Sequence, residues 1–132
     1  MSLKEIHIKT LNRTEMVDIT SEVHRCLSEE MSDGIAVIYS PHTTAGITIN
    51  ENADPSVKSD MKKSLDKLIP FTDNYTHMEG NSDAHIKATL TGLSVTIPVV
   101  NGRMTLGTWQ GIYFCEYDGP RNRKFYIKTI NG

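Results

Sequence analysis

The chain has 132 residues, of which 38% are hydrophobic and 23% charged, a balance typical of a folded soluble domain and unlike a disordered or fibrous chain. We expect one domain over residues 1–132, with a core that needs no metal or disulfide to fold. The formal net charge of -2 disfavours a nucleic-acid or anionic-membrane partner. No apolar run reaches the roughly 20 residues of a membrane helix, and the N-terminal segment lacks a signal-peptide core, so the sequence predicts a cytoplasmic protein.

The chain begins with a predicted strand and a predicted helix. The segment from Leu3 to Lys9 alternates charged residues with isoleucines, as a half-buried strand does. Thr20 or Ser21 can cap a helix that Gly34 is suited to end. The apolar face of this helix is formed by Val23, Cys26, Leu27 and Met31.

Two apolar stretches follow, and a long helix comes after them. Residues 35–39 and the alternating residues 47–49 predict two strands. Asp54 and Pro55 predict a helix start, because an aspartate can cap the first amides and proline suits the first helical position. Pro70 ends this helix. The loop over residues 71–82 has a length that is usually functional or disordered, and we favour a functional loop because it carries a histidine and a glutamate.

The second half of the chain predicts one short helix and then strands only. Ser82 or Asp83 can cap the helix, and Gly92 closes it. Asn101 and Gly102 predict a hairpin turn. Three stretches predict the strands around and after it: residues 95–106, which form the two arms of the hairpin, residues 111–117, which are apolar on both faces, and residues 125–130. This order predicts an α+β fold, an antiparallel β-sandwich with helices packed to one side.

Three histidines, His42, His77 and His85, lie in polar segments outside the apolar stripes. Three neutral imidazoles around a divalent ion leave one position for water or substrate, which is what a catalytic zinc requires. Their spacing is unlike a compact metal motif, so the alternative is that all three are surface loop histidines.

Two further polar groups are candidates for ligand binding. Glu51 and Asn52 follow a predicted strand directly, where their oxygens could orient a ligand or complete a magnesium shell; a solvated turn is the alternative. Thr108, Trp109 and Gln110 lie between two glycines that would let a substrate approach the backbone. For this second group the alternative is a β-bulge with the tryptophan anchored in the core.

Three charged residues complete the candidates. Lys87 and Arg103 could receive a phosphate, since ammonium and guanidinium groups match phosphate oxygens, although exposed cations are more often plain surface. Glu116 stands in an otherwise apolar strand. A carboxylate there needs a partner or a proton, so Glu116 is a candidate acid or base.

Several motifs together resemble the YjbQ-like family over nearly the whole chain. They run from His42 to Pro55, from Asp83 to Lys87, from Asn101 to Arg103 and from Leu106 to Ile112. Some members of that family show secondary thiamine-phosphate synthase activity. The resemblance implies a β-sandwich flanked by helices and assembled as a homotrimer, with a polar site formed by the His42 loop, the His77 to His85 region and the Trp109 strand.

The resemblance also implies a reaction. A pyrimidine diphosphate would be joined to a thiazole phosphate with release of pyrophosphate, assisted by a divalent metal ion, zinc or magnesium. His42, His77 and His85 would hold the metal or donate to phosphate, Glu116 would orient a ring amine, and Trp109 could stack on a heteroaromatic ring. The alternative function is a non-catalytic trimeric module that binds a small molecule or a metal.

Overall fold

The computed structural model describes residues 3–30 and 32–132 of the chain. This part of the chain forms eight strands and three helices. The strands are β1 Leu3–Lys9, β2 Glu15–Asp18, β3 Gly34–Tyr39, β4 Ala45–Glu51, β5 Ser94–Val100, β6 Arg103–Met104, β7 Gln110–Glu116 and β8 Asn122–Asn131. The helices are α1 Thr20–Glu30, α2 Pro55–Leu68 and α3 Ser82–Thr91.

The strands form two antiparallel sheets that face each other. A five-stranded sheet has the order β1-β8-β3-β5-β6, and a three-stranded sheet has the order β2-β7-β4. The main core lies between them, with Ile38, Ile97 and Phe125 from the larger sheet against Ile47 and Phe114 from the smaller. The predicted α+β fold with antiparallel sheets is therefore confirmed.

The helices have two different positions. α1 inserts Val23 and Leu27 into the main core, because these two residues share one face of the helix. α2 and α3 cover the outer face of the smaller sheet, where Ala84 of α3 and Leu65 of α2 pack against Tyr113 and its neighbours. Met31, predicted on the apolar face of α1, lies outside the described residues. No described helix is long and apolar enough to cross a bilayer.

Several local predictions are confirmed and a few are wrong. The Asp54 carboxylate accepts a hydrogen bond of 2.9 Å from the Ser56 amide at the start of α2. Asn101 and Gly102 have positive φ values of 52° and 75°, as the hairpin turn requires. The N-cap of α3 is Asn81 rather than Ser82 or Asp83, and Gly34 begins β3 instead of ending α1. The short strand β2 was not predicted, because its four residues show no alternation.

Candidate functional site

A polar cleft of about 310 Å³ opens at one end of the sandwich. Three segments form it: the β3–β4 loop, the start of α3 with the loop before it, and the turn between β7 and β8. Its walls carry two histidines, two arginines, two carboxylates and several neutral polar groups. The lining residues are Pro41, His42, Thr43, Thr44, Glu79, Asn81, His85, Asp118, Arg121 and Arg123.

His42 is held in this cleft by the two strands beside it. Its Nε2 atom accepts a hydrogen bond of 3.0 Å from the backbone amide of Lys124, and its ring meets the edge of Phe114. Burial and the nearby Arg123 guanidinium lower the pKa of His42 below its ordinary value, so the ring is neutral at pH 7. Because Nε2 accepts, the proton of the neutral ring is on Nδ1, and the remaining nitrogen of His42 is a donor.

The other two candidate histidines lie next to each other. The rings of His77 and His85 are 5.5 Å apart between centroids and nearly perpendicular, at 89°. His85, on the first turns of α3, lines the cleft together with His42, and the loop before α3 places His77 against His85. The structure therefore brings the three predicted histidines to one region, with two of them in the cleft wall.

Glu116 lies behind the cleft wall, where it is fully buried. It forms a two-point ion pair with the buried Arg123 and accepts further hydrogen bonds from the Thr10 hydroxyl at 2.7 Å and the Asp118 amide at 3.0 Å. Burial opposes ionisation of Glu116, but the bonds from Arg123, the Asp118 amide and Thr10 outweigh it and hold the pKa below its ordinary value. Its acceptor positions are thus occupied, and this geometry favours a residue that positions Arg123 over an acid or base that orients a ring amine.

A second network fixes the start of α3. The Asn81 amide nitrogen donates to Asp118 at 2.8 Å and to Glu79 at 3.3 Å. Arg121 in turn binds Asp118 with two hydrogen bonds, one to its carbonyl and one to its carboxylate. The first turn of α3, where the helix dipole favours negative charge, is therefore tied to the β7–β8 turn at the cleft.

The remaining polar candidates lie at the other end of the smaller sheet. Glu51 pairs with Gln110 at the far end of β4, whereas Ala45 at the near end adjoins the His42 loop. Seven residues of antiparallel strand span about 20 Å, so Glu51, Asn52, Thr108, Trp109 and Gln110 do not share a cleft with His42 within one chain. The expected single site therefore divides into two groups at opposite ends of β4.

The Trp109 turn is held by the Gln110 side chain and by Asn52, the residue that follows β4. Gln110 accepts a hydrogen bond of 2.8 Å from the Gly107 amide, and the Asn52 amide donates to the Trp109 carbonyl at 3.0 Å. The Asn52 side chain donates to Asp18 at 3.1 Å. Trp109 is 62% exposed, so the alternative of a tryptophan anchored in the core is wrong.

The two predicted phosphate-binding cations are separated. Lys87 points away from the histidine cleft into another cavity, where its ammonium binds Asp66 at 2.7 Å. Arg103 is exposed on the short strand β6 at the edge of the larger sheet. The expectation that Lys87 and Arg103 receive one phosphate is therefore wrong for a single chain, because they stand on different elements and face different surfaces.

The histidines do not fit a three-imidazole metal site as they are arranged. Among the described residues no group of three metal-ligating side chains converges. A histidine that binds a metal through one nitrogen ordinarily donates a proton from the other, but His42 Nε2 accepts one from Lys124. The zinc or magnesium ion stays an expectation from the family resemblance, and no step proposed below depends on it.

Sequence reasoning did not single out the arginines and amides of the cleft. Arg123 shares the inward face of β8 with Phe125 and Ile127, and an arginine on such a face needs a buried carboxylate. This pattern predicts that Arg123 has a buried carboxylate partner, which in the structure is Glu116. Asn81, Asp118 and Arg121 lie in polar turns, where no periodicity distinguishes them from ordinary surface residues.

Comparison with known proteins gives one consistent result. The family model described as "UPF0047 protein YjbQ-like" matches residues 4–132. The chain is 60% identical to a UPF0047 protein of Methanocaldococcus jannaschii, covering 97% of this chain and 94% of the relative. It is 57% identical to the UPF0047 protein YugU of Bacillus subtilis, covering 97% and 98%.

Solved structures agree with the sequence comparison. A crystal structure of a YjbQ/UPF0047 family protein from Clostridium acetobutylicum has a TM-score of 0.95 at 55% identity and covers 96% of this chain and 99% of its own. A structure from Aeropyrum pernix has a TM-score of 0.94 at 36% identity and covers both chains completely, at 100%. The similarity extends over both the cleft and the Trp109 turn.

Proposed function

The chain belongs to the YjbQ-like UPF0047 family, and from this premise we propose that it is a thiamine-phosphate synthase-like transferase that binds a phosphorylated heterocycle in the histidine cleft. The observation that carries the proposal is the cleft itself. Two imidazoles, two guanidinium groups and the start of α3 surround about 310 Å³, a volume that suits a small ligand. The guanidinium, imidazole and hydroxyl donors gathered in this cleft favour a phosphate-bearing substrate, and both arginines are held by carboxylates, Arg121 by Asp118 and Arg123 by Glu116.

The proposed reaction joins two phosphorylated rings. The thiazole nitrogen uses its lone pair to form a bond to the methylene carbon of the pyrimidine. The bond between that carbon and the diphosphate oxygen breaks, and pyrophosphate leaves with the electron pair, so no external oxidant or reductant is needed. The protein must chiefly stabilise the negative charge that develops on the leaving group.

The residues of the cleft supply that stabilisation as donors. The neutral His42 donates from Nδ1, while Arg121 contributes a cation that Asp118 and the start of α3 orient. Arg123 is held by Glu116 and donates to the Thr44 hydroxyl at 2.8 Å, so that this hydroxyl can donate its own proton into the cleft. Donors fixed in advance in this way need no reorganisation during the reaction.

We also propose a homotrimer in which subunits share the site. Ile35 of β3 lies in register with Ile130 and Pro98 on the outer face of the larger sheet, which leaves Ile130 and Val100 about half exposed. An apolar row of this kind, on a sheet face that none of the described helices covers, supports association. Trimerisation would let the Trp109 turn of one subunit approach the cleft of another.

The proposed function is tested by His85→Ala, with His7→Ala on the exposed face of β1 as the matched control. Turnover of a pyrimidine diphosphate and a thiazole phosphate, measured as pyrophosphate release, is expected to fall at least about 100-fold in His85→Ala only. Stability should change by no more than about 0.5 kcal/mol in either variant. Full turnover in His85→Ala would contradict the assignment of the cleft.

A non-catalytic module gives a different result in the same experiment. Both substrates would then bind, as measured by calorimetry, without release of pyrophosphate. Metal analysis of the purified protein tests the expected divalent ion separately. Light scattering tests the trimer, with Val100→Asp expected to dissociate it and Leu11→Asp, at an exposed loop position, expected to leave it intact.

A further inference from the structure

A second cavity, of about 570 Å³, lies on the other face of α3 from the histidine cleft. Asp83 and Lys87 line it, whereas Asn81 and His85 line the cleft. Residues two positions apart on a helix point about 200° apart, so the two pairs face opposite directions. The lining residues are Asn12, Arg13, Thr14, Lys62, Asp66, Phe71, Asp83 and Lys87.

Five of these side chains form a line of alternating charge. Arg13 binds Asp83 through two nitrogens, at 3.1 and 3.2 Å, and Lys87 lies 3.6 Å from the same carboxylate. Lys87 then binds Asp66 at 2.7 Å, and Asp66 binds Lys62 at 2.8 Å. The order is cation, carboxylate, cation, carboxylate, cation, so both ends of the line are positive.

Burial distinguishes the Asp83–Lys87 pair from the other three side chains of this line. Asp83 is completely buried and the Lys87 side chain is 2% exposed, so their charges must compensate each other. The side chains of Arg13 and Lys62 at the two ends are 37% and 52% exposed. Asp66 is 41% exposed, but each carboxylate lies between two cations, so the excess positive charge is at the two ends of the line.

Both ends retain hydrogen-bond donors. The bond to Asp83 uses two of the five N–H groups of Arg13, and the bond to Asp66 uses one of the three N–H groups of Lys62. A phosphate between these two groups would close the line into a ring of alternating charges. Guanidinium and ammonium groups are the side chains that proteins most use for phosphate.

The cavity also has an aromatic wall. The Arg13 guanidinium stacks over the Phe71 ring at 4.3 Å, and this ring is still more than half exposed. Stacking fixes the guanidinium, and the exposed part of the ring offers an apolar surface to a ligand. The volume lies in the range of small-molecule sites.

From this geometry we infer a second ligand site: the cavity binds a small phosphate monoester that carries a ring, with its phosphate between Arg13 and Lys62 and its ring against Phe71. The inference does not depend on the reaction proposed for the histidine cleft. It assigns Lys87 to the buried middle of the charge line, where it orients Asp66 and Asp83 and does not itself contact phosphate.

The test uses the full chain, with inorganic phosphate and phenyl phosphate as probes in calorimetric titrations. Lys62→Gln should weaken binding of both probes about tenfold, because one charge-assisted donor is lost. The matched control is Lys63→Gln, which removes the same charge from the next, exposed residue of α2 and should leave binding unchanged. Phe71→Ala should weaken phenyl phosphate more than inorganic phosphate.

Two further variants keep the test decisive. Asp66→Asn removes a carboxylate that competes with the anion, so it should tighten phosphate binding, a gain that misfolding does not produce. His85→Ala should leave this binding intact. Equal affinities in Lys62→Gln and Lys63→Gln, or loss of phosphate binding in His85→Ala alone, would overturn the second site, and the latter result would leave the function of the cleft standing.

Discussion

The two ends of the paired strands β4 and β7 carry polar residues in opposite ways. At the cleft end, Glu116 and Arg123 are buried and bind each other. At the far end, Glu51 and Gln110 lie at the surface or partly so, and Gln110 binds the backbone of its own turn. The cleft end is thus held by a buried ion pair, and the far end by exposed hydrogen bonds of Gln110 and Asn52.

This difference indicates how each end can serve a site. A donor such as Arg123 keeps its position at the cleft because a buried carboxylate holds it, which suits binding of a developing charge. The exposed Trp109 turn has no such support within one chain. It is better suited to contact a ligand or another subunit that is fixed elsewhere.

The largest expected effect comes from breaking the buried pair. Glu116→Ala removes the carboxylate and leaves Arg123 buried without compensation, which typically costs about 3–5 kcal/mol. We expect a corresponding fall in the free energy of unfolding, measured by urea denaturation. Glu51→Ala makes the same substitution at the far end of the paired strands β4 and β7. It should lower the free energy of unfolding by no more than about 0.5 kcal/mol.

The comparison between the two ends would fail if both glutamate variants had the same stability. It is sharpened by the double variant Glu116→Ala, Arg123→Met, which removes both charges. Because replacing a buried pair by apolar groups is often nearly neutral, the double variant should be more stable than Glu116→Ala alone. A further loss of stability would indicate that Glu116 acts through packing and not through Arg123.

His42 gives a smaller, pH-dependent effect at the cleft end. Its pKa in the folded state is lower than in the unfolded state, so the unfolded chain takes up more protons as the pH falls below about 6.5. The free energy of unfolding should therefore decrease as the pH is lowered through that range, by less than the single-proton limit of about 1.4 kcal/mol per pH unit. His42→Gln should flatten this slope in urea denaturation measured at several pH values.

The fold was largely predictable because its signals are local. The alternation in β1 and the cap at Asp54 are each set by neighbouring residues, and both are confirmed. Hairpin chemistry at Asn101 and Gly102 is equally local. The strand β2 was missed because its pairing with β7, and not its own four residues, makes it a strand.

The site was predictable only in part. Their polar sequence context was enough to predict that His42, His77 and His85 lie in one region. The ring contact between His77 and His85 shows this most directly. The division of the candidates along β4 was not predictable, because strand length separates residues that adjoin each other in the family motif. The pairing of Glu116 with Arg123 joins strands of two different sheets, so the alternation of β8 signals that Arg123 needs a buried carboxylate but does not identify which one.

The smallest expected effect on stability is that of Trp109→Phe at the far end of β4. Trp109 is 62% exposed, so the substitution should change the free energy of unfolding by no more than about 0.5 kcal/mol. In the unsubstituted protein, Trp109 also serves as a fluorescence probe, since the chain contains one tryptophan. If the Trp109 turn meets a neighbouring cleft in a trimer, the emission of the assembled protein should shift to longer wavelength when Val100→Asp dissociates it. Leu11→Asp is the control for this shift. Identical emission spectra in the assembled and dissociated proteins would show that the Trp109 turn stays in solvent. The turn would then not be part of a shared site.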